Sequence, residues 1–145
     1  MTGARRGQFR KILVGYDGSQ ESEKALEVAL AIANAIDSKV EVLAVAEPSE
    51  PPIAAGPRAL IGGAREHYDK GLRRIAENAT QNGIQIETAI AVGNPAEQIL
   101  KRAEQGHADL IVVGRRGTTL FEKLVMGSVS ERVLRYAPCP VLVTR

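Results

Sequence analysis

Gly114, Gly117, Gly127 and Ser128 carry the clearest chemical signal in this chain. They punctuate a segment that follows the apolar run Leu110-Ile111-Val112-Val113 and leads into an amphipathic stretch. Glycine lets a turning backbone adopt positive φ and lets an anion approach amide N–H groups with no Cβ in the way. A helix beginning near Ser128 would aim its unpaired N–H groups and positive dipole end at the same place. Phosphate binding is the chemistry such a loop suits. A purely structural reading is open as well: Gly114 turns the chain, and Ser128-Val129-Ser130-Glu131 makes a capping box for the helix start.

Asp17, in Val14-Gly15-Tyr16-Asp17-Gly18-Ser19, is the second candidate. A carboxylate there is a poor neighbour for phosphate but a good acceptor for an exocyclic amine or a ribose hydroxyl; its structural alternative is a local turn or helix cap. The dinucleotide fingerprint GxGxxG does not follow the first strand, and GxxxxGK[ST] occurs nowhere. Rapid phosphoryl transfer needs a positioned nucleophile, a metal held by carboxylates and added positive charge at the transition state. Glu122 and Lys123 lie inside the long variable part of the glycine segment and do not supply that set. His67 and His107 stand near no serine or cysteine in a recognisable arrangement, so surface roles are expected. Cys139, the single cysteine, can form no internal disulfide, belongs to no CxxC and lacks a basic neighbour to activate it. An enzyme of this kind would manage at most slow phosphoryl transfer, to water or to a residue such as Thr118, Thr119 or Ser128.

The elements that must hold these residues follow from the rest of the chain. With 145 residues, it is long enough for one domain that buries about two thirds of its unfolded surface. The composition, 44% hydrophobic and 25% charged, argues against disorder. Three Tyr, two Phe and no Trp, with basic residues dispersed, argue against nucleic acid. The first ten residues contain Arg5, Arg6 and Arg10 but no apolar stretch, and no run is long enough to span a membrane. The expectation is a cytoplasmic protein with a flexible extension over residues 1–9 and a single nucleotide-binding domain over 10–145.

Strand and helix patterns alternate through that domain. Ile12-Leu13-Val14 is an unbroken apolar run of the kind a strand covered on both faces needs. Leu26, Ala29, Leu30 and Ala33 recur at helical spacing between Gln20 and Ile36, with Glu21 and Glu23 favourably placed in the first turn. Val40 to Val45 reads as a second strand, the Pro-rich segment from Glu47 to Pro57 as a loop, and Ala59 to Asn82 as a helix. The buried stripe of that helix would be Leu60, Ala64, Tyr68, Leu72, Ile75 and Ala79. Alternation in Ile84, Ile86, Thr88 and Ile90 predicts a strand at a sheet edge. Asn94-Pro95-Ala96-Glu97 predicts a helix start with a cap, a proline at the first helical position and a glutamate three residues past the cap; this helix ends at Gly106. Leu110 to Val113, a helix ending near Tyr136, and Val141-Leu142-Val143 complete the series. The pattern predicts an α/β fold: an open, doubly wound, five-stranded parallel sheet of order 3-2-1-4-5 with helices on both faces. Ligands of such sheets bind beyond the carboxyl ends of the strands where the order reverses, which would make the Asp17 and Gly114 loops neighbours.

These residues resemble the universal stress protein family in its ATP-binding branch, over nearly the whole chain. The likeness runs from Val14-Gly15-Tyr16-Asp17 through Gly93-Asn94-Pro95 to Cys139-Pro140-Val141-Leu142-Val143. Its most specific element is the motif G-x2-G-x9-G-[S/T], matched by Gly114, Gly117, Gly127 and Ser128. The resemblance implies that Asp17, with Gly15, Tyr16 and Val45 around it, holds adenine and ribose. It implies further that Gly114, Gly117, Gly127, Ser128, Val129 and Ser130 surround the phosphates and the ribose edge. Val45 can also be read as a buried strand end, and Ser130 as an ordinary first-turn residue. Arg115 and Arg116 occupy variable motif positions, where either could reach a phosphate or remain a solvated loop arginine. The resemblance also implies ATP accompanied by Mg or Mn, a homodimer through the last strand from Val141 to Thr144, and a regulatory or stress-response role with an unknown protein partner. A slow enzyme and a ligand-free dimeric interaction module are the alternatives.

Overall fold

Among the described residues, five strands and four helices alternate. They are β1 Lys11–Tyr16, α1 Gln20–Ile36, β2 Lys39–Ala46, α2 Gly56–Gln81, β3 Ile86–Val92, α3 Pro95–Gln105, β4 Leu110–Gly114, α4 Ser128–Tyr136 and β5 Val141–Thr144. The computed structural model describes residues 9–47, 56–115 and 128–145, with residues 56–67 by backbone alone. The strands form one sheet of order β3-β2-β1-β4-β5, and all four pairings are parallel. That is the order and class expected from the sequence. Among the described residues, no helix is long and apolar enough to cross a membrane.

Period-two alternation sorts the strand residues onto two cores. Ile12, Val14 and Val42 face α1 and α2, where Leu26, Ala29, Leu72 and Ile75 close over them. Leu13, Leu43 and Val113 face α3 and α4 and pack with Ile99 and Val133. Leu72, Ile75 and Ala79 of the expected α2 stripe are buried, and Tyr68 is half-buried; Leu60 and Ala64 lie outside the described side chains.

Local chemistry sets the boundaries. Ser19 caps α1, its side chain accepting from the Ser22 N–H at 3.2 Å. Asp37 closes the helix in the left-handed region at φ 59°. Asn94 caps α3 by accepting from the Glu97 N–H at 3.1 Å, with Pro95 in the first turn. The Glu97 carboxylate turns away from the cap and meets Arg132 of α4 at 3.3 Å. Phe9, the first described residue, packs on the α1–α2 core, and its carbonyl accepts from the Ser38 hydroxyl. The fourth helix is described from Ser128 onward, and Gly127 before it lies outside the described residues.

The amino end of the sheet holds a charged group that no sequence signal announced. Glu41 lies in the middle of the sheet and is 3% exposed. One carboxylate oxygen accepts from Arg102 Nε at 3.2 Å and Nη2 at 2.9 Å, and Lys11 Nζ lies 4.0 Å from the other. Lys39 and Glu87 form a second pair beside it at 2.6 Å.

Candidate functional site

β1 and β4 are neighbours with opposite onward connections, so the loops leaving their carboxyl ends diverge and a crevice opens between them. A cavity of about 320 Å³ occupies that crevice, at the lower end of the roughly 300–1,000 Å³ usual for small-molecule pockets. Gly15, Tyr16 and Asp17 from β1 and its loop line it, as do Val45 from β2 and Val113 and Gly114 from β4. The starts of three helices also reach the wall: the cap Ser19 with Glu21 and Ser22 of α1, Pro95 of α3 and Val129 of α4.

Of the residues expected around a ligand, Gly15, Tyr16, Asp17, Val45, Gly114 and Val129 stand on this wall. The others are placed differently. Ser130 is 1% exposed, and its hydroxyl donates to the Gly114 carbonyl at 3.0 Å. Ser128 is exposed at the start of α4. Arg115 donates its backbone N–H to the Thr144 carbonyl at 2.8 Å, which ties the exit of β4 to the end of β5. Gly117 and Gly127 lie outside the described residues.

The glycines on the wall have packing reasons for being glycine. A Cβ on Gly114 would stand 2.4 Å from the Glu21 carbonyl oxygen, so the bare backbone lets the first turn of α1 sit against the end of β4. Gly114 is absent from the positive-φ positions among the described residues, which removes the turn-former reading for it. A Cβ on Gly15 would meet Ile99 Cδ1 at 2.8 Å, the tip of a flexible side chain. Gly18, in contrast, does need its freedom: it sits at φ +82°. There the Ser19 N–H donates to Asp17 Oδ1 at 2.9 Å in an Asx turn.

Tyr16 is buried with its hydroxyl donating to Glu23 Oε1 at 2.5 Å. Burial first, then the bond to Glu23, pushes the phenol well above the ordinary tyrosine range. The pair fastens the end of β1 to the first turn of α1 and so fixes the intervening Asp17 loop. Burial likewise raises the Cys139 thiol, with a smaller contribution from Asp109, a direction opposite to activation. His107 is exposed, at φ 53° just past α3. Among the described residues, no group of three or more His, Cys, Asp or Glu side chains could hold a metal ion. Sequence reasoning missed Glu21, Glu47 and Tyr68 as wall residues; Glu21 had been read only as a helix-dipole partner and Tyr68 only as core.

The match to known proteins fits this geometry. The family model described as the universal stress protein family matches residues 8–145. The chain belongs to the universal stress protein family. A universal stress protein of Methanocaldococcus jannaschii is 37% identical over 141 residues, covering 94% of this chain and 82% of that relative. Among solved structures, universal stress protein UspA from Lactobacillus plantarum superposes with TM-score 0.83 at 27% identity, covering 96% of this chain and 99% of the other. A universal stress protein solved in complex with cAMP gives TM-score 0.74 at 30% identity over 96% of this chain and 99% of that one. The shared architecture of the universal stress proteins therefore extends over nearly all of both chains.

Proposed function

We propose that this chain is an adenine-nucleotide-binding regulatory protein whose physiological ligand is ATP with Mg or Mn, and that the bound nucleotide alters its association with a protein partner. The observation that carries this reading is the meeting of Asp17 and Gly114 on one cavity wall at the reversal of the sheet, beside an apolar slot formed by Val45, Ile99 and Val113. The slot suits a purine face, Asp17 suits an amine or hydroxyl donor, and the three helix starts suit phosphate. The 30% identical relative solved with cAMP supports the adenine nucleotide class. A cation would be held through phosphate oxygens and water, the usual habit of magnesium.

We place the protein in the cytoplasm as a homodimer joined through Val141–Thr144. That strand ends one edge of the sheet, with Leu142 36% exposed, and an open apolar edge favours pairing. Calorimetric titration with ATP and Mg tests the central reading. Saturable binding below millimolar nucleotide is expected, and Gly127→Val in the motif should weaken it about tenfold or more. No saturation with folded protein would overturn the reading. Sedimentation of wild type and Leu142→Lys tests the dimer; two monomers would sink it.

A further inference from the structure

Away from the crevice, the corner that joins α2 to β3 holds a dipeptide with chemistry of its own. The sequence has asparagines at 34, 78, 82 and 94, and Asn82 is the one followed by glycine. The backbone nitrogen of a following residue can attack an asparagine side chain at Cγ, and glycine, with no Cβ, leaves that approach unhindered. Both Asn82 and Gly83 are exposed, and no described atom lies within 4 Å of where a Cβ on Gly83 would stand.

The fold restrains both reacting groups. Gly83 sits at φ +75°. Its N–H donates to the Thr80 carbonyl at 3.0 Å and the Ile84 N–H to the Ala79 carbonyl at 2.9 Å, the paired bonds of a Schellman helix ending. The Asn82 side chain turns back to α2, its Nδ2 donating to the Asn78 carbonyl at 2.8 Å and to Asn78 Oδ1 at 3.3 Å. Nucleophile and leaving group are thus both engaged with the last turns of the helix. Half-buried Ile84 pins the corner by packing on the α1–α2 core to which the buried Ala79 turn belongs.

We propose that Asn82-Gly83 is a self-modification site gated by this helix ending. When the corner opens, the Gly83 nitrogen attacks Asn82 Cγ, ammonia leaves with the proton that nitrogen gives up, and water opens the resulting succinimide to aspartate or isoaspartate. One water is taken up and one ammonia released, so no oxidant or other reactant is needed. Aspartate at 82 puts a carboxylate at the negative end of the α2 dipole and opposite the two Asn78 oxygens that Nδ2 now faces. Isoaspartate lengthens the main chain at the corner, which takes the bonds from Gly83 and Ile84 out of register. A converted corner therefore closes less firmly than the original, and the step is not reversed by refolding. The formal charge of +2 falls by one unit.

The test is incubation of the full chain in warm, mildly alkaline buffer, folded and in urea, followed by peptide mapping with mass spectrometry. In urea, conversion at Asn82 should outrun that at Asn34, Asn78 and Asn94. Folding should slow it about tenfold or more, because only the open fraction of the corner reacts. Ile84→Ala loosens the corner and leaves the dipeptide intact, so it should speed the folded-state reaction about threefold or more. Asn82→Asp, a change at an exposed position that installs one product, should melt below wild type. Equal rates in the folded and unfolded chain, or a folded-state rate unchanged by Ile84→Ala, would overturn the gating. Earlier conversion of another asparagine in urea would overturn the site, and an Asn82→Asp melting temperature equal to wild type would overturn the weakened closure.

Discussion

The Ser130 hydroxyl donates to the Gly114 carbonyl at 3.0 Å, from a side chain that is 1% exposed. This bond links the last residue of β4 to the first turn of α4, the two ends of the glycine segment. Ser130 therefore acts on the site by holding the segment's ends together. Ser130→Ala should lower stability by about 1 kcal/mol, since it removes a hydrogen bond made from a buried side chain to the half-buried Gly114 carbonyl. Urea unfolding measures this. A stability equal to wild type, with nucleotide affinity lost, would show that the hydroxyl serves the ligand and not the fold.

Gly114 and Gly15 should respond differently to the same added methyl group. At Gly114 the obstacle is the Glu21 backbone at 2.4 Å, which cannot rotate away, so Gly114→Ala should cost about 2–3 kcal/mol and displace the start of α1. At Gly15 the obstacle is Ile99 Cδ1 at 2.8 Å. Gly15→Ala should cost about 1 kcal/mol, and Ile99→Val, which removes that atom, should recover part of the loss in a double-mutant cycle. Simple additivity of Gly15→Ala and Ile99→Val would count against the contact.

These two glycines mark where sequence reading reached its limit. The spacing of Leu26, Ala29 and Ala33 with Glu21 and Glu23 bounded α1, and Asn94-Pro95 began α3, because caps and periodicity are local signals. The strand order followed from the alternation of elements, and it brought Asp17 and Gly114 to one wall. That a Cβ on Gly114 would strike Glu21, a residue far away in the chain, depends on helix packing, which no motif records. Glu41 escaped for the same reason. It sits in an otherwise apolar strand, and its partner Arg102 is 61 residues away. Glu47 and Tyr68 reach the cavity from β2 and α2, elements whose distance from the Asp17 loop only the folded chain establishes.

The Glu41–Arg102 pair predicts a cost concentrated on one side. Glu41 is buried, whereas the Arg102 side chain is 45% exposed, and the bond to Glu41 raises the guanidinium further above its ordinary range. Arg102→Met strands a buried carboxylate with Lys11 at 4.0 Å as its remaining cation. The expected loss is about 2 kcal/mol, below the roughly 3–5 typical of a broken buried pair because solvent reaches the arginine side. The Glu41→Gln/Arg102→Met double variant should be less destabilised than Arg102→Met alone, since no buried carboxylate is left unpaired and Lys11, which loses its partner, reaches solvent. Urea unfolding of the three proteins measures both differences, and a double variant weaker than Arg102→Met would refute the burial argument.

Tyr16 gives the molecule an alkaline limit. Its folded-state pKa lies above the unfolded value of about 10, so between those two values the folded state keeps a proton that the unfolded state has released. Stability therefore falls as pH rises in that window: the contribution is complete below about pH 10 and is lost progressively above it. The Glu23 carboxylate, 2.5 Å from the phenol oxygen, extends the loss to higher pH, because ionised Tyr16 would face a second negative charge in a buried site. Tyr16→Phe removes the titrating group. It should be less stable than wild type at neutral pH by about 1 kcal/mol, for the lost hydrogen bond, and should lose less stability than wild type between about pH 9 and about pH 11. Melting temperatures of the two proteins across that range decide the matter; parallel curves would mean that Tyr16 ionises as freely in the folded chain as in the unfolded one, and that the bond to Glu23 does not hold the loop carrying Asp17.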